Sequence, residues 1–188
     1  MNTSSKKGFT LIELLIVIGI LAILTAAVVV ILNPAELLKQ ARDSQRLSDL
    51  DALKNAIALY LADSKTFSGL GNTTCYASAT GATDCATRTT SATRTTIASS
   101  TARGVDGTGW IPLALSTITS GSPLQNLPID PTNTSAGSLY YSALFDTSAL
   151  TFELDATLES AKYIGKETTD GGNSTSVYET GSAPGLAL

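Results

Sequence analysis

The stretch from Phe9 to Leu32 sets what this chain can become. It holds 24 consecutive residues with one ionisable side chain, Glu13, placed one turn past Phe9. As a helix it would be about 36 Å long, enough to cross a bilayer's hydrocarbon core with some tilt. A polar head with Lys6, Lys7 and Gly8 leads straight into it. A secretory signal peptide has a shorter apolar core, with its small-residue cleavage site after that core. Here the run is longer and the glycine stands before it. A plain anchor fits the length but gives Glu13 no task, and a carboxylate in a lipid-facing helix by default needs a partner. Capping its own helix N-terminus, where the helix dipole is positive, is the simplest local task.

The string Lys7-Gly8-Phe9-Thr10-Leu11-Ile12-Glu13-Leu14-Leu15-Ile16-Val17 resembles the prepilin motif of type IV pilins and type II secretion pseudopilins. The resemblance implies that a membrane peptidase cuts after Gly8 and that the new N-terminus, Phe9, is N-methylated. It implies that Glu13 offsets the N-terminal amine of a neighbouring subunit during assembly. Electrostatics supports that role, since opposite charges about 4 Å apart attract by roughly 4 kcal/mol at an effective dielectric near 20.

There are no histidines, which removes the commonest general base, the usual triads and most transition-metal sites. The formal charge is −4; removing residues 1–8 takes away Lys6 and Lys7 and leaves ten basic against sixteen acidic residues, or −6. Phosphate contacts need Lys and Arg, so nucleic acid is not an expected partner. Lys39, Arg42 and Arg46 follow the apolar run as Lys6 and Lys7 precede it, so charge does not choose the cytoplasmic end. The resemblance places the leader in the cytoplasm and the bulk of the chain outside. Cys75 and Cys85, in a loop-like region, suit a disulfide in an oxidising compartment, with two unpaired thiols as the alternative.

Asn33-Pro34 interrupts the helix, predicting a kink or a fresh helix start. From Ala35 to about Ala62, Leu47, Leu50, Leu53, Ile57, Tyr60 and Leu61 recur at helical spacing. Arg42, Asp43, Arg46, Asp49, Asp51 and Lys54 fall on other faces and are expected to be mostly solvated. Residues 68–108, rich in Thr, Ser, Ala and Gly, read as a long mobile surface loop whose Arg88, Arg94 and Arg103 serve solubility. Leu139–Phe145 reads as a strand and Asp146-Thr147-Ser148 as a turn. Leu150 to Glu159 alternates apolar with acidic and hydroxyl residues, and a further strand is expected near Ser176–Glu179. The pattern predicts an antiparallel sheet with one buried and one wet face. Leu127-Pro128-Ile129-Asp130-Pro131 with Tyr140 and Tyr141 is similar to the head of pseudopilins and some minimal pilins.

The expected fold is therefore α+β: a long N-terminal helix, transmembrane half plus amphipathic half, packed on a small C-terminal antiparallel sheet. Its parts are a leader (1–8), a transmembrane or filament-core helix (9–34), an amphipathic half (35–62) and an extracytoplasmic head (63–188) with its sheet at about 139–179. Asp130, Asp146, Asp155 and Asp170 are possible calcium ligands without EF-hand spacing, and Glu153 with Asp155 fits a solvated sheet face better than glycosidase chemistry. No catalytic residue, cofactor or metal is expected. The resemblance implies a pilus subunit: a single-pass precursor in the cytoplasmic membrane, then an extracellular or periplasmic filament. Its partners would be copies of itself, the prepilin peptidase and the inner-membrane assembly machinery. A secretion pseudopilin and a membrane-tethered ligand- or DNA-binding module are the alternatives.

Overall fold

The computed structural model describes residues 8–88 and 96–185. The leader residues 1–7 and Arg94 lie outside the described residues. The chain forms two compact units, divided between Leu38 and Lys39.

In the first unit, helix α1 (Leu11–Leu32) begins at an extended Thr10 that serves as its N-cap. Its described side chains are exposed along the whole length. The expected interruption is a fresh start. Asn33 turns into the left-handed region at φ 39°, a conformation that asparagine tolerates better than most residues. Pro34 then opens helix α2 (Pro34–Ala62), at a position where a missing N–H costs nothing. The Asn33 carbonyl accepts the amides of Glu36 at 3.0 Å and Leu37 at 3.3 Å.

In the second unit, Leu50, Leu53, Ala56, Ile57 and Tyr60 of α2 are buried at helical spacing. They share one core with the sheet residues Tyr141, Ala143, Phe145, Phe152, Leu154 and Ala156. The fold is α+β, with the helix stripe covering one sheet face. Strands β1 (Thr74–Ala77), β2 (Thr96–Ser99), β3 (Tyr141–Asp146), β4 (Thr151–Ala156) and β5 (Tyr178–Gly181) lie in the order β2-β1-β3-β4-β5. β3, β4 and β5 pair antiparallel as the alternation predicts, with Phe145 opposite Phe152 and Asp155 opposite Glu179. At the β3–β4 turn, Asp146 Oδ1 accepts the amides of Ser148 and Ala149.

Two expectations need correction. The sheet is mixed rather than purely antiparallel, because β1 and β2 pair parallel. Both of those strands, with the short helix α3 (Cys85–Arg88), come from the Thr/Ser-rich stretch 68–108 expected to be a loop. Low average hydropathy hid them: threonine is β-branched and suits a strand, and a few anchors, the buried Cys75 and Tyr76 and the partly buried Ile97, tie the two strands to the cores. The second correction concerns the face opposite α2, expected to be wet. Ser142, Glu153, Asp155 and Glu179 on that face are buried. Beside them Leu144 packs with Cys75, Cys85 and Ile97 in a small second core. Alternation along a strand reports the pleat, not what later covers its polar side.

The main core centres on Phe145, which meets Phe67 edge-on at 4.9 Å and Tyr76 at 5.8 Å. Truncating it leaves a void among rigid rings. Phe145→Ala is expected to cost about 3–5 kcal/mol of unfolding free energy, read from urea denaturation of the full chain in detergent.

Candidate functional site

Two constellations stand out: one at the start of α1, one joining α2 to the head.

Gly8 and Phe9 precede α1 and are exposed. A methyl group added at Gly8 would meet nothing within 4 Å. The fold itself therefore does not demand glycine there. Glu13 and Thr10 form a reciprocal cap: Thr10 donates its amide to Glu13 Oε2 at 2.9 Å and its hydroxyl at 2.7 Å, while the Glu13 amide reaches Thr10 Oγ1 at 3.3 Å. This arrangement satisfies helix-start amides with a side chain and sets a negative charge at the positive end of the helix. Within the single chain, Glu13 thus takes the local role. From Leu11 to Val29 the helix is long and apolar enough to cross a membrane.

Cys75 and Cys85 form the disulfide, with Cα atoms 6.2 Å apart, and no described cysteine is free. The bridge ties β1 to the start of α3. At the end of α3, Arg88 is buried, not solvated: it donates to Tyr140 O at 2.9 Å, Ser142 Oγ at 3.2 Å and Thr157 Oγ1 at 2.8 Å, and lies over the Tyr140 ring. Arg103 is committed as well, through Nε to Leu127 O at 2.8 Å. These two arginines hold the head together.

The second constellation was not anticipated. Asp43 and Arg46 of α2, expected among the solvated charges, are completely buried. Arg46 donates Nε to Asp130 Oδ2 at 2.6 Å and Nη2 to Asp130 Oδ1 at 3.0 Å, a two-pronged pair. Its Nη1 reaches Asp43 Oδ1 at 2.8 Å and Glu159 Oε2 at 2.7 Å, and its Nη2 also approaches Thr132 Oγ1 at 3.4 Å. A guanidinium carries five N–H hydrogens, and five acceptors surround this one. Asp43 in turn accepts the backbone amides of Glu159 and Ser160 and the Ser160 hydroxyl. Arg42 grips Glu159 from outside at 2.8 and 3.0 Å. Hydrogen bonds from Arg42, then from Arg46, hold the Glu159 carboxyl down at about 2 against burial, which works the other way. For Arg46, burial alone would lower the pKa, but its bonds to Asp130, Glu159 and Asp43 raise it.

Next to this clamp, Tyr141 donates its hydroxyl to Asp49 Oδ2 at 2.9 Å, and Trp110 donates Nε1 to Pro128 O at 2.9 Å. Asp130 of the Leu127–Pro131 segment and Tyr141 therefore receive α2, whereas Tyr140 faces the other side of the sheet, with Ala77, Ala79 and Ala82 and under Arg88. An Asp three positions before an Arg on the helix, and an Asp flanked by prolines, were the visible hints. The possible calcium ligands do not converge. Asp130 serves Arg46, Asp146 caps a turn, and Asp170 accepts the amides of Gly172 and Glu179. Only Asp155 sits in a carboxylate cluster, with Glu153 and Glu179, and that pair of β4 acids is buried rather than solvated.

The family model of the prokaryotic N-terminal methylation motif matches residues 3–29. No curated protein and no solved structure matches the chain. The chain thus carries at its N-terminus the methylation motif that type IV pilins and pseudopilins share.

The clamp has a pH signature. Glu159 titrates lower when folded than when unfolded, so its stabilisation is present above its ordinary value near 4.5 and is lost as pH falls toward about 2. Acid titration of the full chain, followed by circular dichroism, should show stability falling through that window. Glu159→Gln should flatten the fall while lowering stability at pH 7.

Proposed function

We propose that this chain is a structural subunit of a type IV pilus-like surface filament, without catalytic activity. It is inserted in the membrane as a precursor, cut after Gly8 by the prepilin peptidase and packed through α1 into a helical fibre by the inner-membrane assembly machinery. The observation that carries this reading is the methylation motif on a helix whose described apolar side chains are exposed and whose only acid lies one turn from the cut.

The physical logic runs from that helix. Its exposed apolar surface needs cover, which lipid gives first. Between helices in a bilayer there is no aqueous hydrophobic drive, whereas helices stacked in a fibre exclude water together. Cutting after Gly8 creates a cation on Phe9, beside the Thr10–Glu13 cap. Glu13 already has two donors from Thr10, so the amine of a neighbouring copy adds a charge partner to a carboxylate held in place. The charge pair then fixes the axial register of otherwise featureless apolar helices.

The short pseudopilus of a secretion system is the second reading. It is favoured by the Leu127–Pro131 and Tyr140–Tyr141 segments, whose resemblance to pseudopilin heads coincides with the contacts that Asp130 and Tyr141 make to α2.

The mature N-terminus should begin at Phe9 and carry one added methyl group by mass spectrometry of the isolated protein. Glu13→Leu should still insert and be cut but yield at least tenfold fewer filaments in sheared surface fractions. Normal filament yield with Leu at that position would contradict the charge-pair role.

A further inference from the structure

Within the second unit, Ile164 is the most exposed large apolar side chain among the described residues, at 51 %. It sits at the tip of a fastened loop. Ser160 donates its amide and its hydroxyl to Asp43 of α2 at 2.8 and 2.6 Å, and its carbonyl accepts the amides of Tyr163 and Ile164 at 3.1 and 3.0 Å. Beyond the tip, the buried Glu167 accepts the amide of Leu158 at 2.8 Å. The loop is thus tied down on both sides and still holds an isoleucine in solvent. A Cβ added at the neighbouring Gly165 would meet nothing within 4 Å, so the tip faces open space.

The tip is also basic. Residues 160–166 contain Lys162 and Lys166 and no acid, on a chain that carries −6 after Gly8. Among the described residues neither lysine forms an ion pair. Lys162 Nζ lies 4.9 Å from the centre of the Tyr163 ring. A half-exposed isoleucine, a tyrosine and two lysines within five residues are the composition of a membrane–water interface: rings and lysine stems reach apolar depth while their polar ends stay among headgroups.

The covalent chain keeps this tip near the apolar run. Asp43, which holds Ser160, follows Leu32 by eleven residues, nine of those steps being helical in α2. It therefore lies within about 21 Å of the end of the run.

We propose that Lys162–Lys166 is a docking surface for anionic phospholipid headgroups and seats the head on the bilayer that α1 crosses. The proposal rests on the membrane-spanning reading of α1. Each lysine near an anionic surface strengthens binding about fivefold, which would recruit a free head only weakly. On a chain already anchored, docking is intramolecular, and a weak contact becomes populated.

The test uses the full chain with its disulfide intact, reconstituted in vesicles containing about 30 % phosphatidylglycerol and a nitroxide-headgroup lipid. A dye is attached through Gly165→Cys or, as the control, through Ser148→Cys at the β3–β4 turn. The dye at 165 should be quenched by the nitroxide and the dye at 148 should not. Vesicles of phosphatidylcholine alone, or about 1 M NaCl, should remove the quenching at 165. Lys162→Gln with Lys166→Gln, both at exposed positions, should weaken docking about 25-fold. Vesicle flotation after alkaline washing reads the anchoring of α1 separately. A chain that stays with the vesicles but shows equal quenching at 165 and 148 overturns the docking and leaves the spanning reading intact. A chain that washes off overturns the spanning reading, and the docking falls with it. Shielding at 165 that follows protein density rather than anionic lipid would assign the tip to a second copy and overturn the proposal.

Discussion

A guanidinium removed from water must be surrounded, and the arrangement of the head follows from surrounding that of Arg46. An unpaired buried charge would cost several kcal/mol, so acceptors have to be assembled from whatever segments can reach. Here they come from three places: Asp43 one turn back on α2, Asp130 and Thr132 in the loop before β3, and Glu159 just after β4. Apolar burial is non-directional and by itself could tolerate small shifts of the α2 stripe against the sheet. Arg46 cannot, because its fork and the Asp130 carboxylate match in only one position. Apolar burial provides the adhesion and the clamp provides the register.

The two units meet opposite physical demands. Along α1 the problem is uncovered apolar surface with one acid at its start, and any solution has to come from lipid or from other molecules. In the head the problem is buried polarity. Arg46, Arg88 and the β4–β5 carboxylates all lie inside, each held by backbone and side-chain groups from distant segments. The Cys75–Cys85 bridge supports this by fixing α3, and with it Arg88, over the polar side of the sheet.

What the sequence shows and what it hides follow the range of each interaction. The apolar run, the Asn33-Pro34 break, the stripe of α2 and the alternation along β4 are local patterns, and they appear in the structure where the periodicities place them. Asp43 and Arg46 look like any solvated i, i+3 pair until Asp130, 84 positions after Arg46, closes on them. Glu153 and Asp155 look wet because nothing local announces that α3 and the segments after β4 cover that face. Strands β1 and β2 escape local reading for a related reason: they are held by pairing with each other, by the pairing of β1 with β3 and by a disulfide, not by their own hydropathy.

The clamp's role in setting register is tested most directly by a double-mutant cycle between Arg46→Met and Asp130→Leu, with unfolding free energies measured by urea denaturation of the full chain in detergent. Arg46→Met leaves the buried Asp130 without its cation and Asp130→Leu strips Arg46 of its two-pronged partner, so each should cost about 3–5 kcal/mol, while the double variant should recover at least about 2 kcal/mol of the summed loss. Additive losses, within about 0.5 kcal/mol, would contradict the account by showing that the two groups do not depend on each other.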